Sequence, residues 1–191
     1  MTASPTTKKT LRKEAMALRD QLHAIYGMAS AEKAAGHGLS YLSVLPKGTV
    51  IALYHPMNSE LDPCFLATDL MRKGYKVALP VVEALDAPLA FRLWATGDPL
   101  EEGVFKTKHP MSEAPTVVPD VILAPMLGFT MAGYRLGYGG GFYDRTLVTM
   151  PGTRFIGFAF MGQMLDDMPV EKHDIPVEAV ITETGIILCG K

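Results

Sequence analysis

Between Thr7 and Tyr26 the apolar residues fall at Leu11, Ala15, Leu18, Leu22 and Ile25, in steps of four, three, four and three. That is the helical period, and it predicts an amphipathic helix with these five positions turned to the core. Thr7 or Ser4 can cap its start, and Gly27 lies where it would stop. A weaker helical pattern follows from Ala29 to Leu42, interrupted by Gly36 and Gly38. "TVIALYH", Thr49 to His55, is a nearly unbroken apolar run, as expected of a strand buried on both faces. Asp62 and Pro63 mark a helix start, with Phe65, Leu66, Leu70 and Met71 as its buried stripe up to Gly74.

The runs from Lys76 ("KVALPVV") and Leu89 ("LAFRLWA") read as strands, and in the latter Phe91, Leu93 and Ala95 alternate with Arg92 and Trp94. Glu101 to Pro119 has little periodicity and several chain-bending residues, so it reads as a long loop, a length usually functional or disordered. "VILAP" (Val121 to Pro125) is another buried strand. A glycine stretch follows it, then a helical segment from Phe142 to Met150. Strands from Arg154 and Ala179, and a last one from Gly185, complete the pattern. Strands alternating with helices predict an α/β fold: a single three-layer domain over residues 1–191, with a mainly parallel sheet and helices on both faces.

Composition narrows the function. The chain has 191 residues, 48% of them hydrophobic and 20% charged, enough to bury a sizeable core. A net charge of −2 offers no global attraction to nucleic acid or to anionic lipid, so an anionic ligand needs a local cluster of cations. Cys64 and Cys189 have no metal-type spacing and read as reduced thiols of a cytoplasmic protein. The basic segment Lys8, Lys9, Arg12, Lys13, Arg19 suggests a transit peptide, but Glu14 and Asp20 favour a helix of the mature protein. No apolar run approaches a membrane span, and no heptad or apolar edge announces an interface, so a monomer is expected.

The candidate chemistry lies in "RLGYGGGFYDR", Arg135 to Arg145, which comprises Arg135, Leu136, Gly137, Tyr138, Gly139, Gly140, Gly141, Phe142, Tyr143, Asp144 and Arg145. It follows a strand and opens a helix, and ligands of open α/β sheets bind outside the carboxyl ends of strands. Glycines there let successive N–H groups approach an anion, and the following helix adds its positive end, so phosphate is the natural guest. Neither G-x-x-x-x-G-K-[ST] nor G-x-G-x-x-G is present, which leaves a phosphate site of another kind or only a sharp turn. Asp144 is placed either to hold Mg²⁺, directly or through water, or simply to favour a helix start.

The same stretch resembles the glycine-rich signature of the 5-formyltetrahydrofolate cyclo-ligase family, R-L-G-x-G-x-G-[FY]-Y-D. "KKTLR" (Lys8 to Arg12), "LYHPMNSELDP", "LAFRLWATGDPLEEGVF" and "GFAFMGQMLDDMPVEKHDIPVEAVITETG" resemble further family segments in order. The loop differs in carrying Tyr138 and Gly140 where many members have Arg or Lys, and "KTKHP" (Lys106 to Pro110) replaces a G-I-x-E-P-like string. The resemblance implies ATP- and Mg²⁺-dependent cyclisation of 5-formyltetrahydrofolate to 5,10-methenyltetrahydrofolate. It implies ATP contacts from Lys8, Lys9, Arg12 and the loop from Arg135 to Tyr143, with Arg135, Tyr143 and Asp144 at the reacting centre. By the same resemblance Asp144 and Asp174 are metal ligands. Glu60, Tyr54, His55, Tyr138, Gly139, Gly140, Gly141 and Phe142 are implied to meet the folate. Two other readings compete: a nucleotide- or folate-binding regulator without turnover, and a sugar-phosphate or acyl-transfer enzyme of related fold. Fold alone does not choose between them.

Overall fold

The structure, a computed structural model, describes residues 7–190. Helix α1, Lys8–Leu42, is one continuous helix of 35 residues, where the sequence predicts two separated at Gly27. The Thr7 side chain caps it by accepting from the Thr10 N–H, while Ser4 lies outside the described residues. Glycines inside a helix cost roughly 1 kcal/mol each relative to alanine. Here burial of Ala31, Ala34, Ala35 and Leu42 against the sheet and the second helix holds the end of α1 together. Gly38 is needed for that approach, because a Cβ there would lie 2.9 Å from Leu66 Cδ2.

The first half of α1 is rotated from the expected stripe. Ala15 packs on Leu127, Leu136 and Met168 with Leu11 beside it, and Leu22 reaches the main core. Leu18 and Ile25, however, are 39% and 68% exposed, whereas Arg19 is buried at 2%. This half of the helix lies over the loops beyond the sheet, where Lys8, Arg12 and Arg19 bond to Asp174, Gly137 and Ser59, so its inward stripe is Lys8, Arg12, Ala15 and Arg19.

Strands β1 (Val50–Ala52), β2 (Lys76–Val81), β3 (Ala90–Leu93), β6 (Val121–Ala124), β9 (Arg154–Phe158), β10 (Ala179–Thr182) and β11 (Gly185–Leu188) form one sheet. Two hairpins lie outside it: β4 (Leu100–Glu102) with β5 (Lys108–Pro110), and β7 (Gly128–Phe129) with β8 (Arg135–Leu136). The sheet order is β11-β10-β9-β6-β1-β2-β3, parallel except at its two edge strands. Helix α2, Cys64–Arg72, connects β1 to β2, and α3, Phe142–Thr149, lies between β6 and β9. Ile51, Leu53, Leu79, Leu123 and Ile156 face α1 and α2, and Ala52, Ala78, Ile122 and Val180 face the side of α3. The architecture is therefore α/β, with a mainly parallel sheet between helical layers.

Two expectations are corrected. Phe65 on α2 is 41% exposed, and the buried positions are Leu66, Ala67 and Leu70. The segment from Glu101 to Pro119 is not structureless: it contains β5 and most of β4, and Thr116 bridges back to Arg92. Strands of two or three residues are too short to show alternation, which is why the pattern missed them. No helix among the described residues is long and apolar enough to cross a membrane.

Candidate active site

From β1 the chain steps outward to β2 and β3, then returns to place β6 on the other side of β1. That reversal leaves a crevice beyond the carboxyl ends of β1 and β6, the usual ligand position in open α/β sheets. The β1 side supplies Tyr54, His55 and Glu60; the β6 side supplies Pro125 and, past the β7–β8 hairpin, the glycine loop.

A cleft of about 180 Å³ is lined by the whole loop from Arg135 to Asp144, together with Lys8, Arg12, Pro125, Glu171, His173 and Asp174. Gly139 and Gly141 take φ of 100° and 66°, and α3 starts at Phe142, so the loop bends through left-handed backbone onto a helix N-terminus. Arg12 Nε donates to the Gly137 carbonyl at 2.8 Å, which lays the guanidinium along the loop. Lys8 Nζ lies 2.7 Å from Asp174 Oδ2 and 2.9 Å from Glu171 Oε2. Burial opposes the Lys8 charge, but the bonds to Asp174 and Glu171 outweigh it and hold its pKa above the ordinary lysine value. For Asp174, burial raises the pKa, but the Glu171 N–H and Lys8 outweigh it and hold the carboxylate below its usual range.

On the opposite wall Arg135 donates to Asp144 Oδ1 at 2.8 Å, and the Ile175 N–H reaches the same oxygen at 3.1 Å. Arg135 also donates to the Ile175 carbonyl and lies 4.6 Å from the centre of the Phe155 ring. The second oxygens of Asp144 and Asp174 have no hydrogen-bond partner among the described residues. Both acids line the same cleft, and one ligating atom from each of Glu171, His173 and Asp174 lies within 4.8 Å of the others.

Next to this cleft is a more apolar cavity of about 100 Å³, and Pro125 and Tyr143 line both. Its walls include Tyr54, His55, Met57, Glu60, Pro80, Val82 and Leu89, with Thr107 and Lys108 from the β4–β5 hairpin. Glu60 is 3% exposed, and burial raises its carboxyl to about 7 despite the Met57 N–H and Arg19. Burial, then the Glu60 charge, pushes the Tyr54 and Tyr143 phenols up, so both stay protonated at neutral pH. Burial and Lys108 push His55 below its ordinary value.

A model of the 5-formyltetrahydrofolate cyclo-ligase family matches residues 4–183. The chain belongs to this family. It is 35% identical to the 5-formyltetrahydrofolate cyclo-ligase of Escherichia coli over 162 residues, which is 81% of this chain and 88% of the relative. It is 33% identical to that of Mycolicibacterium smegmatis, covering 96% of this chain and 98% of the relative. The solved 5,10-methenyltetrahydrofolate synthetase of Aquifex aeolicus superimposes with a TM-score of 0.77 at 28% identity, covering 96% of this chain and 93% of that one.

Of the residues singled out for this cyclo-ligase fold, Lys8, Arg12, Asp144, Asp174 and the whole loop meet at one cleft, while Tyr54, His55 and Glu60 meet at the next. Lys9 does not join them: it is exposed and lines neither cavity, because on a helix it is turned about 100° from Lys8. Sequence reasoning assigned no role to Arg19 or Ser59, which contact Glu60 or its neighbours, nor to Glu171 beside Lys8. For Arg19 a signal existed. The steps from Lys8 to Arg12, Ala15 and Arg19 are four, three and four, one helical stripe.

Proposed function

We propose that this family member converts 5-formyltetrahydrofolate to 5,10-methenyltetrahydrofolate at the expense of ATP, with Mg²⁺ as the metal. The observation that carries this reading is the contact between two unlike cavities. A cleft that brings Lys8, Arg12 and Arg135 to a glycine loop adjoins a more apolar pocket with one buried carboxylate, and Pro125 and Tyr143 line both. Such a pair suits transfer of a phosphoryl group onto an organic acceptor.

The formyl oxygen of the substrate is a poor leaving group. In the proposed reaction it attacks the γ-phosphorus, the bond to the bridging oxygen breaks, and ADP departs. N10 then attacks the formyl carbon, the carbon–oxygen bond breaks to release phosphate, and N10 gives up its proton. Neither step needs a nucleophilic side chain; both need positioning and charge neutralisation. Lys8 and Arg12 hold phosphate oxygens from the α1 side, the loop amides hold them from below, and Arg135 offsets charge from the far wall. Glu60 accepts from the adjacent N–H donors of the pterin, which orients the formyl group toward the shared wall at Tyr143. Asp144 and Asp174 fit a hydrated Mg²⁺, since each retains an oxygen without a partner among the described residues and oxygen donors suit that ion. Bound there, the metal supplies charge neutralisation of the polyphosphate.

Label transfer tests the chemistry. Substrate carrying oxygen-18 in its formyl group is expected to deliver that atom to the released phosphate, one per turnover. Unlabelled phosphate beside labelled water would show that the formyl oxygen is not the phosphoryl acceptor.

A further inference from the structure

Arg19 lies beneath both cavities without lining either, and its guanidinium reaches three elements at once. Its Nε donates to Ser59 Oγ at 3.1 Å, and a terminal nitrogen donates to the Tyr138 hydroxyl in the glycine loop. The other terminal nitrogen is 3.8 Å from Glu60 Oε1. Among the described residues neither that nitrogen nor that oxygen has a hydrogen-bond partner, although both are fully buried. The two groups face each other as a buried ion pair that falls short of a hydrogen bond, and buried donors and acceptors are nearly always hydrogen-bonded, so this arrangement calls for a functional reason. Ser59 Oγ in turn donates to the Asp20 carboxylate, and Glu60 Oε2 accepts from the Met57 N–H at 2.9 Å. Among the described residues, the cation whose charge favours the ionised Glu60 thus comes from α1, and the same cation grips the phosphate-side loop.

We propose that Arg19 is a positioning residue that ties the substrate pocket to the glycine loop, holding the Glu60 carboxylate on one side and the Tyr138 phenol on the other. The inference rests on the reading of Glu60 as the acceptor of the pterin N–H donors. Glu60 must be ionised for that task, and the Met57 N–H and the Arg19 charge are what favour its ionised form against burial. Tyr138 is 45% exposed and lines the cleft. The guanidinium lies 5.5 Å from the centre of the tyrosine ring as well as bonding its hydroxyl. Loss of Arg19 therefore frees both groups, through different atoms.

Steady-state kinetics of the full chain between about pH 6 and 9 test this. Wild-type kcat/KM for 5-formyltetrahydrofolate is expected to fall on the acid side with an apparent pKa of about 7, where Glu60 protonates. His55, Lys108, Tyr54 and Tyr143 also face the pocket, and Asp20 reaches it only through Ser59. His55 is held below its ordinary value and both tyrosines above theirs, so none of these three accounts for a limb there. Arg19→Met is expected to move the acid limb up by roughly 1 pH unit, the lower end of the usual effect of losing a nearby opposite charge, because the Met57 N–H remains. Its folate KM should rise about tenfold at neutral pH and recover toward pH 9 (one pH unit is one factor of ten). Arg19→Lys keeps the cation but not the fork, so the limb stays in place while the ATP KM rises. An acid limb unmoved in Arg19→Met, or a loss equal at every pH, overturns the proposal. Should that variant not fold, Arg19→Lys decides: wild-type KM values for both substrates overturn it. Glu60→Gln separates the two ideas. An unchanged folate KM there removes the Glu60 reading itself, whereas a raised one beside a wild-type Arg19→Met removes only the role of Arg19.

Discussion

Asp144→Asn is expected to cut turnover by about a hundredfold or more, the loss typical of removing one preorganised electrostatic contact from a reacting centre. The effect has two sources in the same carboxylate. Oδ1 anchors Arg135 and the Ile175 N–H, and the other oxygen, which has no partner among the described residues, is the one proposed to meet the metal. Asparagine keeps an oxygen for the first task but removes the charge, so Arg135, 8% exposed, is left beside a neutral amide. Breaking a fully buried ion pair costs about 3–5 kcal/mol. The Asp144 side chain is 19% exposed and the amide still accepts, so a smaller cost and a folded variant are expected. The decisive comparison varies Mg²⁺: the variant should need far more metal for half-maximal rate. Wild-type rates at limiting Mg²⁺ would reduce Asp144 to an acid in the first turn of α3.

Gly139→Ala is expected to weaken ATP binding at least tenfold while melting only a few degrees lower. Gly139 has φ of 100°, a conformation that costs an L-residue on the order of 1–3 kcal/mol. In a domain of this size each kcal/mol lowers the melting temperature by roughly 2–4 °C. A Cβ there would also sit 3.1 Å from Arg12 Cζ, the guanidinium that lies along the loop through its bond to Gly137. The substitution therefore strikes the loop and its principal side-chain cation together. The ATP KM should rise far more than the folate KM, because Glu60 and its pocket are untouched. Wild-type ATP binding in Gly139→Ala would mean that the glycine serves only to turn the chain.

Much of this was legible in the chain, and the failures have a common cause. Apolar runs such as "VILAP" locate the buried parallel strands because such strands meet apolar layers on both sides. Periodicity reports which residues share a face, not what that face meets. The N-terminal half of α1 shows the limit: Leu18 and Ile25 are turned out because the face that meets the loops beyond the sheet is that of Ala15 and Arg19. The glycine loop was legible because its elements are local: strand, turn and helix start within a few residues. Its partners were not. Lys8 meets Asp174 across 166 residues, and Arg19 meets Tyr138 across 119. No spacing rule spans such distances; for Lys8 and Asp174 only resemblance to a family did. Hairpins built from strands of two or three residues are set by their tertiary neighbours and leave no pattern to read.

The most direct test of the central claim is formation of 5,10-methenyltetrahydrofolate, followed by its absorbance, from 5-formyltetrahydrofolate and the purified full chain. Four mixtures suffice: complete, without ATP, with metal chelated, and with both removed. Product is expected only in the complete mixture, with one ADP released per methenyl group formed. Turnover without ATP, or none in a folded protein supplied with both ATP and Mg²⁺, would contradict the reading of the glycine cleft as the site that activates the formyl oxygen.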